Sequence, residues 1–358
     1  MSDTGLKETT SSSAVLIIGA GLIGASIGLA LMAQGRRVHL GDSSSSHALV
    51  AASLGAGTID PPTNIDLVIV AVPPSAAATV VVEALVAYPE ATVTDVASVK
   101  SPVLAAVLAA GADASRYVGS HPMAGSHRSG PLTARADLFV DRTWVIATHA
   151  KADPTSVQRV RELAEACRSR IEVMDPHEHD LAVAEVSHVP QIISSLMAGN
   201  LVDLPASHLR LAGQGVRDVT RIAASDEAMW TQIITANREA ISTRLAQLAA
   251  CLDQVQANLD SPEQVAQFIR SGVAGTRVLP GKHGRLPADY VYVVVEIPDS
   301  PGALARLFAD VGAVGVNVED LRIEHDWARE VGFISIAVEP TKADALAEVM
   351  RQAGWNVE

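Results

Sequence analysis

Hydrophobic residues in the first half of the chain occur in short continuous runs, and helical stretches separate one run from the next. A continuous apolar run is typical of a strand that is buried on both faces of a parallel sheet. Strands that alternate with helices predict an α/β domain with a doubly wound, mostly parallel sheet. We assign residues 14–175 to this domain, with strands predicted at 15–18, 38–40, 65–72, 91–96, 117–120, 144–148 and 171–174.

From about residue 176 the pattern changes to long helical periodicities without a convincing strand. It predicts an all-α domain over residues 176–273, with helices at 182–201, 216–223, 227–258 and 262–271. The stretch 227–258 is long for a globular helix, which favours a break within it. Many of these helices are too apolar to stand alone, so the domain is expected to form a homodimer.

The end of the chain has a third pattern. Residues 274–289 carry Gly, Pro, Lys and Arg without periodicity and are predicted to be a linker. Residues 290–358 follow the order βαββαβ, which is typical of a ferredoxin-like sandwich. At the other end, residues 1–13 are polar and rich in Ser and Thr, and are predicted to be a disordered tail.

A glycine-rich turn follows the first predicted strand. Gly19, Gly21 and Gly24 form the pattern G-x-G-x-x-G between a strand and a helix of small residues. In a Rossmann-type fold these glycines permit a tight turn, a close approach to a pyrophosphate and close packing of the helix on the strand. The turn therefore predicts a dinucleotide site.

Asp42 follows Gly24 by 18 residues and ends the second predicted strand. An acid at this spacing accepts the ribose hydroxyls and repels a 2′-phosphate, which favours NAD over NADP. The hydroxyls of residues 43–46 could still serve a phosphate. The predicted cofactor-binding residues are Gly19, Gly21, Leu22, Ile23, Gly24 and Asp42.

A membrane helix and a signal peptide are the alternatives for this stretch. Residues 9–35 carry no charge, and glycines four apart could pair two such helices. A signal peptide would have Lys7 as its only basic residue, with Glu8 beside it. The strands on both sides of the glycines fit the dinucleotide fingerprint better, so no membrane contact is expected.

Composition narrows the class of protein. The chain has 358 residues and a net charge of −13, and no basic cluster is long enough to follow a nucleic acid backbone. Its two cysteines exclude a disulfide framework or a cysteine-based metal site, and fit the reducing cytoplasm. We therefore expect a cytoplasmic protein that binds small molecules.

Two polar side chains are predicted beside the glycine turn. Ser98 and His121 follow neighbouring strands, and ligands of open α/β sheets lie beyond the carboxyl ends of the strands. His121 near a nicotinamide could take a proton from a substrate hydroxyl while hydride leaves the same carbon. Ser98 could equally be a helix cap. Asp95 is expected to brace the loop, and Lys100 to be solvated.

The helical region contributes candidates for substrate binding. Arg217 and Arg221 are four apart and share a helix face, while Asp218 and Arg221 could pair. A guanidinium forms a planar fork for a carboxylate, although a solvated surface pair is the alternative. No lysine occurs between Lys151 and Lys282, which disfavours a lysine acid/base in this domain.

Histidines at the start of the helical region have several possible roles. His177, His179 and Asp180 could suggest a metal, but no further ligand follows at a known spacing. They are expected to mark a helix start, and no metal is predicted. His188 lies on an apolar helix, where core packing and substrate contact are equally possible.

Five motifs in this order resemble those of prephenate and arogenate dehydrogenases of tyrosine biosynthesis: GAGLIGASIG, TDVASVK, GSHPMAG, SHVPQ and GVRDVTRIAASDEAMW. The resemblance covers residues 14–273. The segments IPDSPGAL and GVNV near the C-terminus resemble an ACT regulatory domain, a fold that often binds an amino acid.

The resemblance implies roles for individual residues. His121 matches the histidine that deprotonates the ring C4 hydroxyl, Ser98 the serine that bonds to both, and Arg221 the arginine that grips the ring carboxylate. The implied reaction is NAD-dependent oxidative decarboxylation of prephenate to 4-hydroxyphenylpyruvate, or of arogenate to tyrosine. The implied substrate-binding residues are Arg221, His188, Asp218, Trp230 and Arg217.

The chain departs from the family pattern at one position, and its C-terminal region implies a regulatory role. Many relatives carry an acid where this chain has His127, which affects the choice between prephenate and arogenate. The ACT-like segment implies feedback by tyrosine or another aromatic amino acid, with Asp299, Gly302 and Asn317 as candidates. A purely structural dimerisation module is the alternative.

Two other functions compete with this one. Another NAD-dependent oxidoreductase, such as an imine or hydroxyacid reductase, is disfavoured by the missing lysine. A catalytically silent, NAD-responsive regulator is disfavoured by the intact set of Ser98, His121 and Arg221.

Overall fold

A computed structural model describes residues 13–125, 130–279, 290–326 and 331–358. These residues form two units, the first ending at Ala250 and the second starting at Cys251. His127, residues 1–12 of the predicted tail and residues 280–289 of the predicted linker lie outside the described residues.

A parallel sheet of four strands forms the centre of the first unit. Its spatial order is β2-β1-β3-β4, and every pair in it is parallel. Buried apolar side chains cover it on both faces, as the continuous apolar runs predict: Val15 and Ile17 belong to the cluster on one face, and Leu16 and Val68 to the cluster on the other. The strands are β1 (Ala14–Ile18), β2 (Arg37–Gly41), β3 (Ile65–Val70) and β4 (Thr92–Asp95).

A second sheet corrects the expectation of one mostly parallel sheet. It consists of β5 (Gly119–Pro122), β6 (Thr143–Ala147) and β7 (Arg170–Met174), in which β5 and β6 are antiparallel and β6 and β7 parallel. A parallel pair needs a crossover, usually a helix. The described part of the β5–β6 connection holds only a 3-10 turn, Pro131–Thr133, so the chain turns back antiparallel.

Five helices pack on these sheets: α1 (Leu22–Met32), α2 (Ser45–Ser53), α3 (Pro74–Ala87), α4 (Ser101–Ala109) and α5 (Pro154–Ala166). Hydrogen bonds link the two sheets: the amide of Val118 donates to the carbonyl of Val93 at 3.0 Å, and the hydroxyl of Ser120 donates to the carbonyl of Asp95 at 2.9 Å. The start of β5 therefore lies beside β4.

The helical region follows the predicted pattern with changes at the ends. The predicted helix 182–201 is part of a longer stretch, in which a π-helical segment, Ala184–His188, joins α6 (Pro176–Val183) to α7 (Val189–Gly199). After it come α8 (Ala206–Leu209), α9 (Gln214–Thr220) and a 3-10 turn, Arg221–Ala223.

Asn237 breaks the predicted long helix into α10 (Glu227–Ala236) and α11 (Arg238–Ala257). The last helix of the helical region, α12 (Pro262–Arg277), extends four residues into the segment 274–289, which was expected to be a linker.

The C-terminal region has the predicted order βαββαβ. An antiparallel sheet with the order β11-β8-β10-β9 packs on two helices around Val295, Leu307, Ile336 and Leu346. The elements are β8 (Val291–Pro298), α13 (Ala303–Ala313), β9 (Asp320–Asp326), β10 (Val331–Val338), α14 (Pro340–Gln352) and β11 (Asn356–Val357).

Candidate active site

The glycine turn has the geometry that a dinucleotide requires. Gly19 has φ of +106°, and a Cβ on it would overlap the carbonyl oxygen of Ala71. A Cβ on Gly24 would overlap the carbonyl oxygen of Gly19, so α1 packs tightly on the turn. Gly21 caps α1 and has no atom within 4 Å of an added Cβ, which leaves space for a pyrophosphate at the helix N-terminus.

Asp42 ties the turn to the end of β2. Its Oδ2 accepts a hydrogen bond from the amide of Ala20, and its Oδ1 accepts one from the amide of Ser44, both at 2.7 Å. Each carboxylate oxygen can accept another hydrogen bond. Asp42 can therefore receive a ribose hydroxyl while it also holds the glycine turn in place.

The ends of the parallel strands form a continuous rim. Backbone hydrogen bonds just beyond the strand ends join neighbouring strands: Gly19 to Gly41 (2.7 Å), Ala71 to Ile18 (2.7 Å) and Val96 to Val70 (3.1 Å). The hydroxyl of Ser120 continues the series by donating to the carbonyl of Asp95 at 2.9 Å. His121 follows Ser120 and therefore lies on the same rim as the glycine turn.

His121 contacts a second histidine that the sequence did not assign to the site. Its Nδ1 lies 2.9 Å from Nε2 of His179, and Nδ1 of His179 lies 2.8 Å from Oδ1 of Asp180. His121 is half-buried, whereas His179 is fully buried. The helix start predicted for His177, His179 and Asp180 is confirmed, because α6 begins at Pro176 with Asp175 as its cap.

The side chain of Asp180 also binds the N-terminus of another helix. Its carboxylate accepts the amides of Lys100 and Ser101, both at 2.8 Å, at the N-terminus of α4. A carboxylate from α6 therefore caps the N-terminus of α4. Burial raises the pKa of Asp180, but hydrogen bonds from His179, Ser101 and Lys100 outweigh it and lower the pKa, so Asp180 is ionised.

The surroundings of His121 keep its imidazole neutral. Burial is the main cause, and the neighbouring His179, Lys100 and His188 add to it, so the pKa of His121 lies well below its ordinary value of 6.5. A neutral imidazole can accept a proton. His121 can therefore act as a base at neutral pH.

Lys100 is buried, so the expectation that it is solvated is wrong. Its ammonium forms an ion pair with Asp95 and donates to the carbonyl of Ser120 at 2.7 Å. Tyr117 donates to the other oxygen of Asp95 at 2.7 Å. Asp95 also accepts the amide of Ala97, so it braces the loop as expected. The cation replaces its water shell with these partners, which is why it tolerates burial.

His188 belongs to the same polar cluster. Its Nδ1 accepts from Nδ2 of Asn237 at 3.0 Å, and that amide also lies 2.8 Å from the carbonyl of Asp180. Trp230 meets His188 edge-on, with ring centroids 6.1 Å apart. Burial lowers the pKa of His188 to about 4, with His179 acting in the same direction. A neutral His188 and Trp230 thus extend the site into the helical region.

The remaining substrate candidates stand apart from this cluster. Arg217 and Arg221 are exposed on α9 and the turn after it. Asp218 accepts a hydrogen bond from Gln214 at 2.8 Å, and among the described residues no ion pair joins it to Arg221. Ser98 is half-buried in the loop after β4, and no hydrogen bond joins it to His121 in the described ranges.

The three regulatory candidates lie in the second unit. Asp299 is exposed after β8, and Gly302 begins α13 with φ of +91°. The amide of Asn317 donates to Glu319 at 2.6 Å. These residues therefore flank the turns at the ends of β8 and before β9.

Sequence reasoning missed His179, Asn237 and the burial of Lys100. Sequence spacing does not single them out, because His188 follows His179 by nine residues, or two and a half α-helical turns, which places the two on opposite faces of a regular α-helix. The sequence also does not show which residue of β5 they contact.

Two family models match consecutive parts of the chain. The model described as "Prephenate dehydrogenase, nucleotide-binding domain" matches residues 27–173, and "Prephenate dehydrogenase, dimerization domain" matches residues 175–270. Both end before the C-terminal βαββαβ region.

Curated and solved proteins agree with these models. A probable prephenate dehydrogenase, NovF, of Streptomyces niveus is 35% identical, over 95% of this chain and 98% of its own. The prephenate dehydrogenase of Bacillus subtilis is 30% identical, over 86% and 87%. The crystal structure of A. aeolicus prephenate dehydrogenase with hydroxyphenyl propionate and NAD+ aligns with a TM-score of 0.68 at 23% identity, over 75% of this chain and 99% of its own, and so shares the fold.

Proposed function

The chain belongs to the prephenate dehydrogenase family, and we propose that it converts prephenate to 4-hydroxyphenylpyruvate with NAD as the hydride acceptor. The observation that carries the proposal is the position of a neutral His121 on the same rim as the glycine turn. A proton acceptor and a hydride acceptor can therefore act on one carbon.

The chemistry balances with His121 as the base. Its imidazole takes the proton of the C4 hydroxyl while the hydride of C4 passes to the nicotinamide. The bond to the ring carboxylate then breaks, CO2 leaves, and its electron pair makes the ring aromatic. The oxygen at C4 takes a proton back, so His121 returns to its neutral form.

Other residues are proposed to bind the substrate. Arg221 and Arg217 are exposed and can form charge-assisted hydrogen bonds to its carboxylates. His188 and Trp230 line the helical side, Asp218 supports the segment of the arginines, and Ser98 completes the catalytic pair with His121. The six residues Gly19, Gly21, Leu22, Ile23, Gly24 and Asp42 hold NAD.

Arogenate, which would give tyrosine directly, is the alternative substrate. The assay mixes the purified protein with NAD and either prephenate or arogenate, and follows NADH formation. We expect NADH with prephenate. A faster reaction with arogenate would reassign the substrate, and no NADH with either would refute the proposed activity.

We also propose that the enzyme is a homodimer formed through the helical region. The apolar side chains Ile193, Leu196 and Met197 are exposed on α7, within the match to the dimerization model. Within the described ranges, one helical stretch, Pro176–Gly199, is long and apolar enough to cross a membrane by length and composition alone. A second subunit that packs on this helix explains the same apolar surface without a membrane.

Light scattering with size exclusion tests the dimer. We expect a dimer for the native protein and a monomer for Leu196→Glu. Leu49→Glu is a matched control, because Leu49 is 55% exposed and Leu196 is 56% exposed, but Leu49 lies outside the match to the dimerization model. A native monomer, or a dimer that survives Leu196→Glu, would contradict this interface.

The C-terminal βαββαβ region is proposed to be an ACT-like regulatory domain that binds tyrosine through Asp299, Gly302 and Asn317. Its element order and the turn conformation of Gly302 support this assignment. Added tyrosine should slow NADH formation, and Asp299→Ala should remove the inhibition without changing the rate in its absence. If tyrosine does not change the rate, the domain has a structural role instead.

The buried Cys167 and exposed Cys251 are free thiols and fit a cytoplasmic enzyme.

A further inference from the structure

His179 occupies a buried position between the proposed base and a carboxylate. It is fully buried, with one ring nitrogen toward His121 and the other toward Asp180. The ring of His179 also meets that of His121 edge-on, with centroids 5.1 Å apart. The carboxylate itself is fixed by the amides of Lys100 and Ser101.

The direction of each hydrogen bond follows from the carboxylate. An ionised Asp180 can only accept, so Nδ1 of His179 carries a proton and donates it. In a neutral His179, Nε2 is then an acceptor, which requires Nδ1 of His121 to carry a proton. A neutral His121 is left with an unprotonated Nε2, the atom that can accept a proton.

We propose that His179, backed by Asp180, is a positioning residue that fixes the tautomer and the orientation of His121 for proton abstraction. The inference rests on the proposed function of His121. The same contact can stabilise the imidazolium that forms when His121 takes the substrate proton, because His179 and Asp180 accept from it in series. His179 itself does not touch the substrate in this scheme.

Kinetics of two His179 variants test the role. His179→Phe keeps a ring but has no acceptor for His121, and we expect a loss of kcat of roughly 10²-fold. The KM for prephenate and the Kd for NAD should not change. His179→Gln places an amide oxygen near the position of Nε2, so it should recover most of the lost kcat. A residue needed only for packing would respond to size, and Gln would not outperform Phe.

His177→Phe is the matched control, because His177 is exposed on the same helix two positions away. It should leave kcat unchanged. Full kcat in His179→Phe, or equal losses in the Phe and Gln variants, would overturn the inference. Inactivity of the unaltered enzyme with both substrates would instead refute the proposed function.

NMR of the protein with isotope-labelled histidine tests the tautomer without turnover. The signals of His121, assigned from their loss in His121→Asn, should show a proton on Nδ1 in the native protein. In His179→Phe they should shift toward the tautomer protonated on Nε2. A native His121 protonated on Nε2 would overturn the inference even if the variants are impaired.

Discussion

His121 combines two properties that oppose each other in water. A base needs a lone pair free of protons, and burial together with the neighbouring His179, Lys100 and His188 lowers the pKa of this imidazole to supply one. This half-buried imidazole must also gain a proton during the reaction, and the contact with His179 and Asp180 offsets the cost of that charge. The site is thus neutral at rest and able to carry a transient charge.

Replacing His121 with Asn tests its role as the base. The Asn side chain reaches about as far as Nδ1, so it can keep a contact with His179, but it has no group at the position of Nε2. We expect turnover to fall by about 10²–10⁴-fold with little change in NAD affinity. Steady-state kinetics and NAD titration measure the two effects. Turnover that survives the substitution would show that another group takes the proton.

The buried ion pair of Lys100 allows a prediction about the stability of the fold. Lys100→Met leaves the carboxylate of Asp95 buried without its cation, and should lower the free energy of unfolding by about 3–5 kcal/mol. Denaturant unfolding measures it. The double variant Lys100→Met/Asp95→Asn should recover part of the loss, because the buried charge is gone. If the single variant unfolds at the native denaturant concentration, the ion pair is not needed for stability.

These residues show how far a sequence predicts the surroundings of a single side chain. His121 could be placed on the rim because a strand was predicted at 117–120, just before it, although the observed strand β5 runs from Gly119 to Pro122 and includes His121. Lys100 was expected in solvent because lysine is seldom fully buried. Its burial depends on Asp95, Tyr117 and Ser120, which come together only when β4 and β5 lie side by side. The same holds for His179, whose partner is 58 residues away.

At the scale of elements, apolar runs predicted the strands of the first unit better than their pairing. The order of the strands in sequence does not show that β5 turns back on β6, because the deciding feature is a connection without a crossover helix. The break between α10 and α11 was expected from length alone. Its position at Asn237 reflects the hydrogen bonds of that side chain to Asp180 and His188.

The turn between β1 and α1 allows a matched pair of substitutions. Gly24→Ala places a Cβ against the carbonyl of Gly19 and should cost about 1–3 kcal/mol of stability. Gly21→Ala meets no atom within 4 Å, so the melting temperature should stay near the native value. It should weaken NAD binding, because the methyl group occupies the space proposed for the pyrophosphate. Native NAD affinity in Gly21→Ala would place the cofactor elsewhere.

At the scale of the whole molecule, buried titratable groups couple activity to stability. The pKa of His121 is lowered well below its ordinary value of 6.5, and that of His188 is lowered to about 4, so both are neutral in the folded chain. The unfolded chain binds protons at these sites more readily than the folded chain. The polar cluster needed for the reaction therefore makes the fold sensitive to acid.

This coupling predicts how stability depends on pH. Above about pH 6.5 both states hold His188 neutral, and its burial carries no pH-dependent cost. As the pH falls from about 6.5 toward 4, the unfolded state gains a proton that the folded state does not, and stability should fall by about 1.4 kcal/mol per pH unit for this group. Asp180, whose pKa is lowered from 3.8, titrates below this window.

Denaturant unfolding at a series of pH values measures the slope, and two variants identify its source. His188→Asn retains an acceptor for Asn237 but cannot bind the proton, so it should reduce the slope between about pH 6.5 and 4. His177→Asn removes an exposed histidine and should leave the slope as it is. A native slope in His188→Asn would mean that acid acts on other groups, with His121, whose pKa is also lowered by burial, as the next to replace.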